Sequence, residues 1–174
     1  EFAKGVGTQV KAVVQEGVAQ FQRLVSSDFI KDLKLTVHQT KGRAFQRGQE
    51  IHISPKNDVG TVVHEIGHWL EQHAPDILKK IVDFHEQRTK GDAEERLDKL
   101  FPGHGYKPAE TTRKDNYLHA YMGKTYRNVL GKVLATEQVS MGLEWFVRDP
   151  LKLVQHDPEM FDLIYEVARL KKKQ

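Results

Sequence analysis

Hydrophobic positions near the start of the chain recur with two different periods. Between residues 8 and 31, valine and phenylalanine recur every three or four positions, which predicts an amphipathic helix. Residues 33–37 then alternate apolar with polar side chains, and the alternation returns at 51–53. Such alternation is typical of half-buried strands, so we expect two strands that pair or lie near each other.

The middle of the chain returns to helical spacing. A helix is predicted from about Val59 to His73, with Asn57 or Asp58 as its cap and Pro75 as its stop. A second helix should follow at about 76–88.

The remaining residues divide into an irregular part and a helical end. Residues 89–116 are charged and contain several glycines and prolines, which is typical of a short helix and a long surface loop. Residues 117–134 fit a strand or a helix equally well. Helices are expected at about 136–148 and 158–172, the second capped by the Asp157-Pro158 pair. The pattern as a whole predicts an α+β fold with a small sheet and a mainly helical C-terminal half.

Length and composition suit one soluble domain over residues 1–174. The chain is 39% hydrophobic and 29% charged, and it contains no apolar run of the roughly 18 residues that cross a membrane. It begins without Met and without a secretory signal, so we expect an excised domain whose compartment the sequence does not give. The net charge of +3 is modest. We expect neither nucleic-acid binding nor membrane insertion, even with the Lys171-Lys172-Lys173 run, and no oligomeric state is indicated.

The absence of cysteine restricts the possible chemistry. Disulfides, thiolate metal ligands and a cysteine nucleophile are excluded, so a transition-metal site must use His, Asp or Glu. Residues 62–70 read VVHEIGHWL. Residues four apart share one helix face, so His64 and His68 can reach one tetrahedral Zn²⁺. Glu65 lies beside them and can take a proton from a metal-bound water.

An ordinary amphipathic helix is the alternative interpretation of this stretch. In a chain of this composition the His-Glu-x-x-His spacing arises by chance in roughly a few per cent of cases. The opposite face of the helix is apolar, and it consists of Val59, Val62, Val63, Ile66, Trp69 and Leu70. A helix that buries one face and presents the motif on the other favours a metal centre.

A catalytic zinc ion needs a third protein ligand and one open position. His73 lies about 180° around the helix from His64 and is rejected. Glu86, 18 residues after His68, has a spacing that some zinc peptidases use, but no pattern around it supports the role. Glu71 shares the histidine face and is either a partner of the metal ligands or a plain surface charge.

Glu137 is the favoured third ligand. On the helix predicted at 136–148, Glu137, Ser140 and Glu144 fall on one face, opposite an apolar face. The Ser140 hydroxyl lies one turn on, where it can support the metal ligands. Glu144 is expected to form an i,i+4 ion pair with Arg148 on a solvated surface.

The two motifs together resemble the gluzincins, zinc peptidases in which a glutamate completes a His-Glu-x-x-His site. Thermolysin-like members carry this glutamate in a Glu-x-x-Ser-Asp stretch, and here Glu137 and Ser140 match while Met141 replaces the Asp. Met141 offers no carboxylate for contact with a metal-bound histidine. The long separation of Glu137 from His68 looks more like lethal-factor-type toxin domains, or metallopeptidase domains of phage and mobile elements. The resemblance covers roughly residues 50–148.

This resemblance implies a zincin-like domain that hydrolyses peptide bonds, more as an endopeptidase than as an exopeptidase. His64, His68 and Glu137 would hold Zn²⁺ and Glu65 would be the general base. Residues 51–53 would form the edge strand above the active-site helix, where a peptide or protein substrate is added as a further strand. The rival is a metal-stabilised binding or structural module without catalysis.

The resemblance also implies a Tyr or His beside the zinc ion that stabilises the oxyanion. Tyr126 is the first choice and Tyr121 the second, with Tyr117 and His119 as further candidates. All four precede the proposed glutamate ligand.

Overall fold

The computed structural model describes residues 1–171, and its α+β class agrees with the sequence prediction. Lys172 and Lys173 of the basic run lie outside the described residues. The described residues form the helices α1 (Thr8–Leu24), α2 (Ser27–Ile30), α3 (Val59–His73), α4 (Pro75–Arg88), α5 (Leu97–Leu100), α6 (Gln138–Arg148), α7 (Pro150–His156) and α8 (Pro158–Arg169). The strands are β1 (Thr36–Gln39), β2 (Phe45–Arg47), β3 (Glu50–Ile53), β4 (Glu95–Arg96), β5 (Thr111–Thr112), β6 (Thr125–Arg127) and β7 (Val133–Thr136).

The main sheet is small and mixed, as predicted, but its edge strand is not the one expected. The strand order is β1-β3-β2, with β3 parallel to β1 and antiparallel to β2. The predicted edge strand, residues 51–53, is therefore central. The outer strands are β1, beside which Phe2 forms an isolated bridge to Val37, and β2, whose hydrophobic pattern does not reveal its place. Gly48, with φ +60°, makes the tight turn that folds β2 back onto β3.

Two element boundaries near the N-terminus also differ from the prediction. The first helix ends at Leu24 rather than at residue 31, because Val25 is extended and Ser26 starts the short helix α2. The first strand begins at Thr36, where pairing with β3 begins. Leu33 and Leu35 pack against the core outside any strand.

Helix α3 occupies the centre of the core, between α1 and α6. Its apolar face is buried as predicted, with Ile66 and Leu70 fully inaccessible. Gly67 permits a close approach of α6, since a Cβ at this position would lie 2.7 Å from the Ser140 Cα. This approach brings the start of α6 directly against the turn that carries the histidines.

The second half of the chain is less helical than predicted up to residue 137. Residues 89–116 contain the short helix α5 and the strands β4 and β5, in keeping with a long surface loop. The ambiguous segment 117–134 is a 3-10 turn followed by most of the β6–β7 hairpin. Helix α7 was not predicted, whereas α8 begins as expected, with Asp157 accepting a hydrogen bond from Met160 N. Among residues 1–171, no helix is both long and apolar enough to cross a membrane.

Candidate metal centre

The two histidines of the motif project from the middle of α3 toward α6. Asp58 begins the helix, since its carboxylate accepts a hydrogen bond from Thr61 N at 2.9 Å. His64 and His68 are largely buried, and Glu65 is only 5% exposed. Burial raises the pKa of Glu65, an effect that the neighbouring histidines partly offset. The motif thus faces the interior of a cleft and not bulk water.

Glu137 completes the group, as predicted. Its Oε2 lies 3.4 Å from His64 Nε2 and 3.4 Å from His68 Nε2. Two ligands bound to one tetrahedral zinc ion at about 2.0–2.1 Å are themselves about 3.3–3.4 Å apart. A charge-assisted hydrogen bond would bring the same atoms to about 2.7–2.9 Å. The spacing of the three residues therefore fits a shared zinc ion better than a direct ion pair.

Glu137 does not lie within the helix that the sequence predicted for it. Helix α6 begins at Gln138, and Glu137 is the residue before it, at φ −98° and ψ 2°. Its backbone N–H donates to Lys124 O at 3.1 Å, and the Ser140 hydroxyl donates to its carbonyl at 3.1 Å. The expected support from Ser140 is thus present, although it reaches the backbone more closely than the carboxylate.

The Glu137 carboxylate is fully buried and held from two sides. Its Oε1 accepts a hydrogen bond from Tyr126 Oη at 2.5 Å, and its Oε2 faces the histidines. Burial alone would raise the pKa of Glu137, but His64 and His68 hold it well below its usual range. The carboxylate is thus ionised, which is the form that binds metal.

Glu144 is not on a solvated surface, and this prediction was wrong. The i,i+4 pair with Arg148 is present at 2.7 Å, but the other oxygen of Glu144 lies 2.8 Å from His64 Nδ1. Metal-bound histidines commonly donate their second N–H to a carboxylate, which fixes the ring and its tautomer. Glu144 therefore supplies the contact that Met141 cannot make. Burial alone would lower the pKa of His64, but the neighbouring carboxylates of Glu137 and Glu144 raise it to about 10.

We expect Glu144→Ala to weaken zinc binding by about 10–100-fold, because the His64 ring loses its orienting partner. Competition against a chromophoric chelator measures the affinity. Glu16→Ala is the matched control, since Glu16 is exposed on α1. Equal zinc affinity in Glu144→Ala and the parent would show that the carboxylate does not act on the metal site.

Glu71 is a buried partner of the ligand segment, so the surface-charge alternative is wrong. It is 1% exposed and accepts hydrogen bonds from Thr136 N at 2.7 Å and Thr136 Oγ1 at 2.6 Å. Burial raises the pKa of Glu71 to about 7. The contact ties the residue before Glu137 to the helix that carries both histidines.

Glu86 and His73, the two other ligand candidates, do not lie beside His64 and His68. Glu86 forms ion pairs with Arg113 at 3.1 Å and Arg127 at 2.9 Å, and its side chain is 45% exposed. His73 stacks on Trp69 and its Nδ1 lies 2.8 Å from the Trp69 carbonyl oxygen. Neither side chain joins the His64, His68 and Glu137 group.

Tyr126 and Tyr121 both bring their hydroxyls to the centre, whereas the other two oxyanion candidates do not. The Tyr121 and Tyr126 Oη atoms are 3.5 Å apart. The Tyr117 hydroxyl instead accepts a hydrogen bond from Gln138 Nε2 in the core. His119 accepts from Tyr121 N and stacks on Phe101, so it serves the 3-10 turn.

Two cations near these hydroxyls were not anticipated from the sequence. Lys124 Nζ donates to the Tyr121 hydroxyl at 3.2 Å, and the Arg43 guanidinium donates to it at 3.3 Å. Lys124 also pairs with Glu110 at 2.6 Å. Arg43 follows a glycine in a stretch without clear periodicity, and nothing local marks it as a site residue.

The centre lies at the floor of a cleft of about 770 Å³. One wall is β2, which contributes Phe45 and Gln46, and the other is β7, which contributes Leu134 and Ala135. The volume is within the usual range of ligand-binding clefts. Strand β2 thus borders the cleft that contains His64, His68 and Glu137.

No protein-family model, curated protein or solved structure matches the chain. The likeness to the gluzincins rests on the residues of this chain alone. The structure brings Glu137 next to His64 and His68, although Glu137 follows His68 by 69 positions in the sequence.

Proposed function

We propose that the protein is a zinc-dependent endopeptidase of the gluzincin type with a zincin-like fold. The observation that carries the proposal is the position of Glu137 Oε2, 3.4 Å from both histidine Nε2 atoms at the floor of an open cleft. Glu65 is a buried carboxylate that lies beside the three ligands without being one of them. A purely structural zinc site does not need such a group.

His64, His68 and Glu137 would hold the zinc ion, which when bound supplies a Lewis acid for the scissile carbonyl and the attacking water. Glu65 accepts the proton of that water and then donates it to the leaving amine. Its burial keeps the carboxylate away from competing bulk water. Glu144 and Glu71 act indirectly, the first by orienting His64 and the second by fixing the segment before Glu137.

Tyr126 is the proposed donor to the oxyanion, with Tyr121 as the second choice. Burial raises the pKa of Tyr126, so its hydroxyl keeps its proton at neutral pH. Its single proton goes to Glu137 Oε1 in this structure, so donation to the oxyanion requires the hydroxyl to turn from Glu137 to the substrate. Tyr121 accepts from Lys124 and Arg43, and its own proton points either to the Tyr126 oxygen, 3.5 Å away, or to the substrate.

We propose that the substrate binds along β2 rather than along residues 51–53. Strand β2 has one paired side, against β3, and its Phe45 and Gln46 line the cleft. Addition of a peptide strand there relies on main-chain hydrogen bonds and requires no chain terminus. This mode of binding favours cleavage within a chain over removal of terminal residues.

The direct test is incubation of the zinc-loaded protein with a mixture of unrelated peptides, read by mass spectrometry. We expect internal cleavages that disappear with a zinc chelator and return with one equivalent of zinc. Cleavage that persists in chelator would contradict a metal-dependent reaction. Zinc binding with no cleavage in any peptide would favour the alternative, a metal-stabilised module without catalysis.

A further inference from the structure

A second group of metal-binding side chains lies on the outer face of the main sheet. His38 on β1 is in register with His52 on β3, and Glu50 precedes His52 by two residues. Alternate residues of a strand point to the same face, so all three side chains lie on one face. The intervening Val37 and Ile51 point into the core.

The distances in this group resemble those of the centre on α3. His38 Nε2 lies 3.6 Å from Glu50 Oε1, and His52 Nε2 lies 3.5 Å from Glu50 Oε2. These distances exceed the about 2.7–2.9 Å of a charge-assisted hydrogen bond. They are close to the separation of about 3.3–3.4 Å between two ligands of one tetrahedral ion. All three donor atoms lie within 4.8 Å of one another.

One of these donor atoms is buried without a hydrogen bond. His38 Nε2 is buried and makes no hydrogen bond, although its ring edge is directed toward the Glu50 carboxylate. Buried polar atoms are almost always satisfied, and an unsatisfied one calls for an explanation such as an ion. A metal ion between His38 and Glu50 would satisfy this nitrogen.

The imidazole rings are held in place by stacking. The rings of His38 and His52 are 4.8 Å apart and nearly parallel, at 14°. Phe45 of β2 stacks on the other face of His52 at 4.1 Å. Restrained ligand side chains lose little freedom on binding metal, so the site is already organised for an ion.

We propose that His38, Glu50 and His52 form a second binding site for a divalent transition metal such as Zn²⁺. Imidazole and carboxylate ligands suit zinc, copper and nickel. The side chains of His38 and Glu50 are 32% and 50% exposed, so this site binds more weakly than the buried centre on α3. The bound ion would link β1 to β3 and, through Phe45, restrain the edge strand β2. The proposal does not depend on hydrolysis.

The test is a zinc-binding isotherm by equilibrium dialysis on the parent, His38→Ala and Glu137→Ala. We expect two zinc ions per chain in the parent and one in each variant, with the tighter ion lost in Glu137→Ala and the weaker in His38→Ala. His156→Ala, an exposed histidine on α7, is the control and should bind two. In the parent, the first equivalent of zinc should raise the midpoint temperature of thermal unfolding, and the second equivalent should raise it again. In His38→Ala the second increase should be absent.

The second site would be overturned, and the first left intact, by the following result: the parent binds one ion, His38→Ala still binds it, and Glu137→Ala does not. Two ions retained by His38→Ala would overturn it as well. Circular dichroism establishes that each variant is folded. If His38→Ala does not fold, His52→Gln replaces it, with the same expected loss of one ion.

Discussion

Glu65→Gln is expected to lower peptide hydrolysis by about 10²–10⁴-fold while one zinc ion stays bound at the centre on α3. Glutamine keeps the size and shape of the side chain but cannot take up a proton at neutral pH. Glu65 is adjacent to His64 yet is not one of the three grouped ligands, so the ligand set is unchanged. The rate of cleavage of one peptide and the zinc content of the same sample measure the two effects separately.

The matched control for this variant is Glu16→Gln, which makes the same chemical change at an exposed position on α1. It should retain the parent rate and the parent zinc content. A Glu65→Gln protein that cleaves at the parent rate would remove Glu65 from the role of base. A protein that loses zinc as well would instead assign Glu65 a part in holding the ion.

Glu137→Ala is expected to weaken zinc binding at the centre on α3 by more than about 10²-fold. This loss exceeds the one expected for Glu144→Ala, which removes only a partner of a ligand. The substitution removes one of three ligands and leaves two imidazoles, which cannot alone enclose the ion. Competition with a chelator gives the affinity, and hydrolysis should fall with the zinc content.

Glu86→Ala provides the sharpest comparison, because Glu86 is the alternative ligand that sequence spacing allows. In the folded chain it pairs with Arg113 and Arg127. We expect it to retain zinc affinity and activity. The reverse outcome, with zinc lost in Glu86→Ala and kept in Glu137→Ala, would transfer the third ligand to Glu86 and contradict the arrangement described above.

The parts of the site that the sequence predicts are those governed by local periodicity. His64, Glu65 and His68 lie on one helix whose bounds, Val59–His73, follow from its cap and its apolar spacing. The approach of Glu137 to the histidines depends on packing between α3 and α6, which the sequence does not show. Its position opposite an apolar helix face was nevertheless enough to predict it as the third ligand. Its position before the helix was not predictable, since β7 extends to Thr136.

The errors arise where distant segments decide the outcome. Which strand forms the edge depends on pairing across the sheet, and the three-residue β2 is too short to show a period. The i,i+4 pair with Arg148 predicts a solvated Glu144, but the contact with His64 on α3 largely buries its carboxylate. Its separation of seven residues from Glu137, two helical turns, was a signal that both carboxylates face the same neighbour.

The positions of the two tyrosines could not be predicted from local sequence. Tyr121 and Tyr126 reach the site because a 3-10 turn and the β6–β7 hairpin carry them there, and the sequence of that segment fits a helix equally well. The choice of these two residues came from a resemblance alone. The Tyr126 hydroxyl contacts Glu137 and the Tyr121 hydroxyl lies next to it, and their part in the reaction is a prediction.

The buried contact between Glu71 and Thr136 has a consequence for how the cleft can move. Through it, the segment that delivers Glu137 is anchored to α3, the same helix that carries both histidines. All three metal-binding side chains therefore lie on segments tied to α3, whereas β2 meets α3 through two side-chain hydrogen bonds between Gln46 and Gln72. Widening the cleft on the β2 side would break the exposed Gln46–Gln72 contact and leave the buried Glu71–Thr136 contact in place.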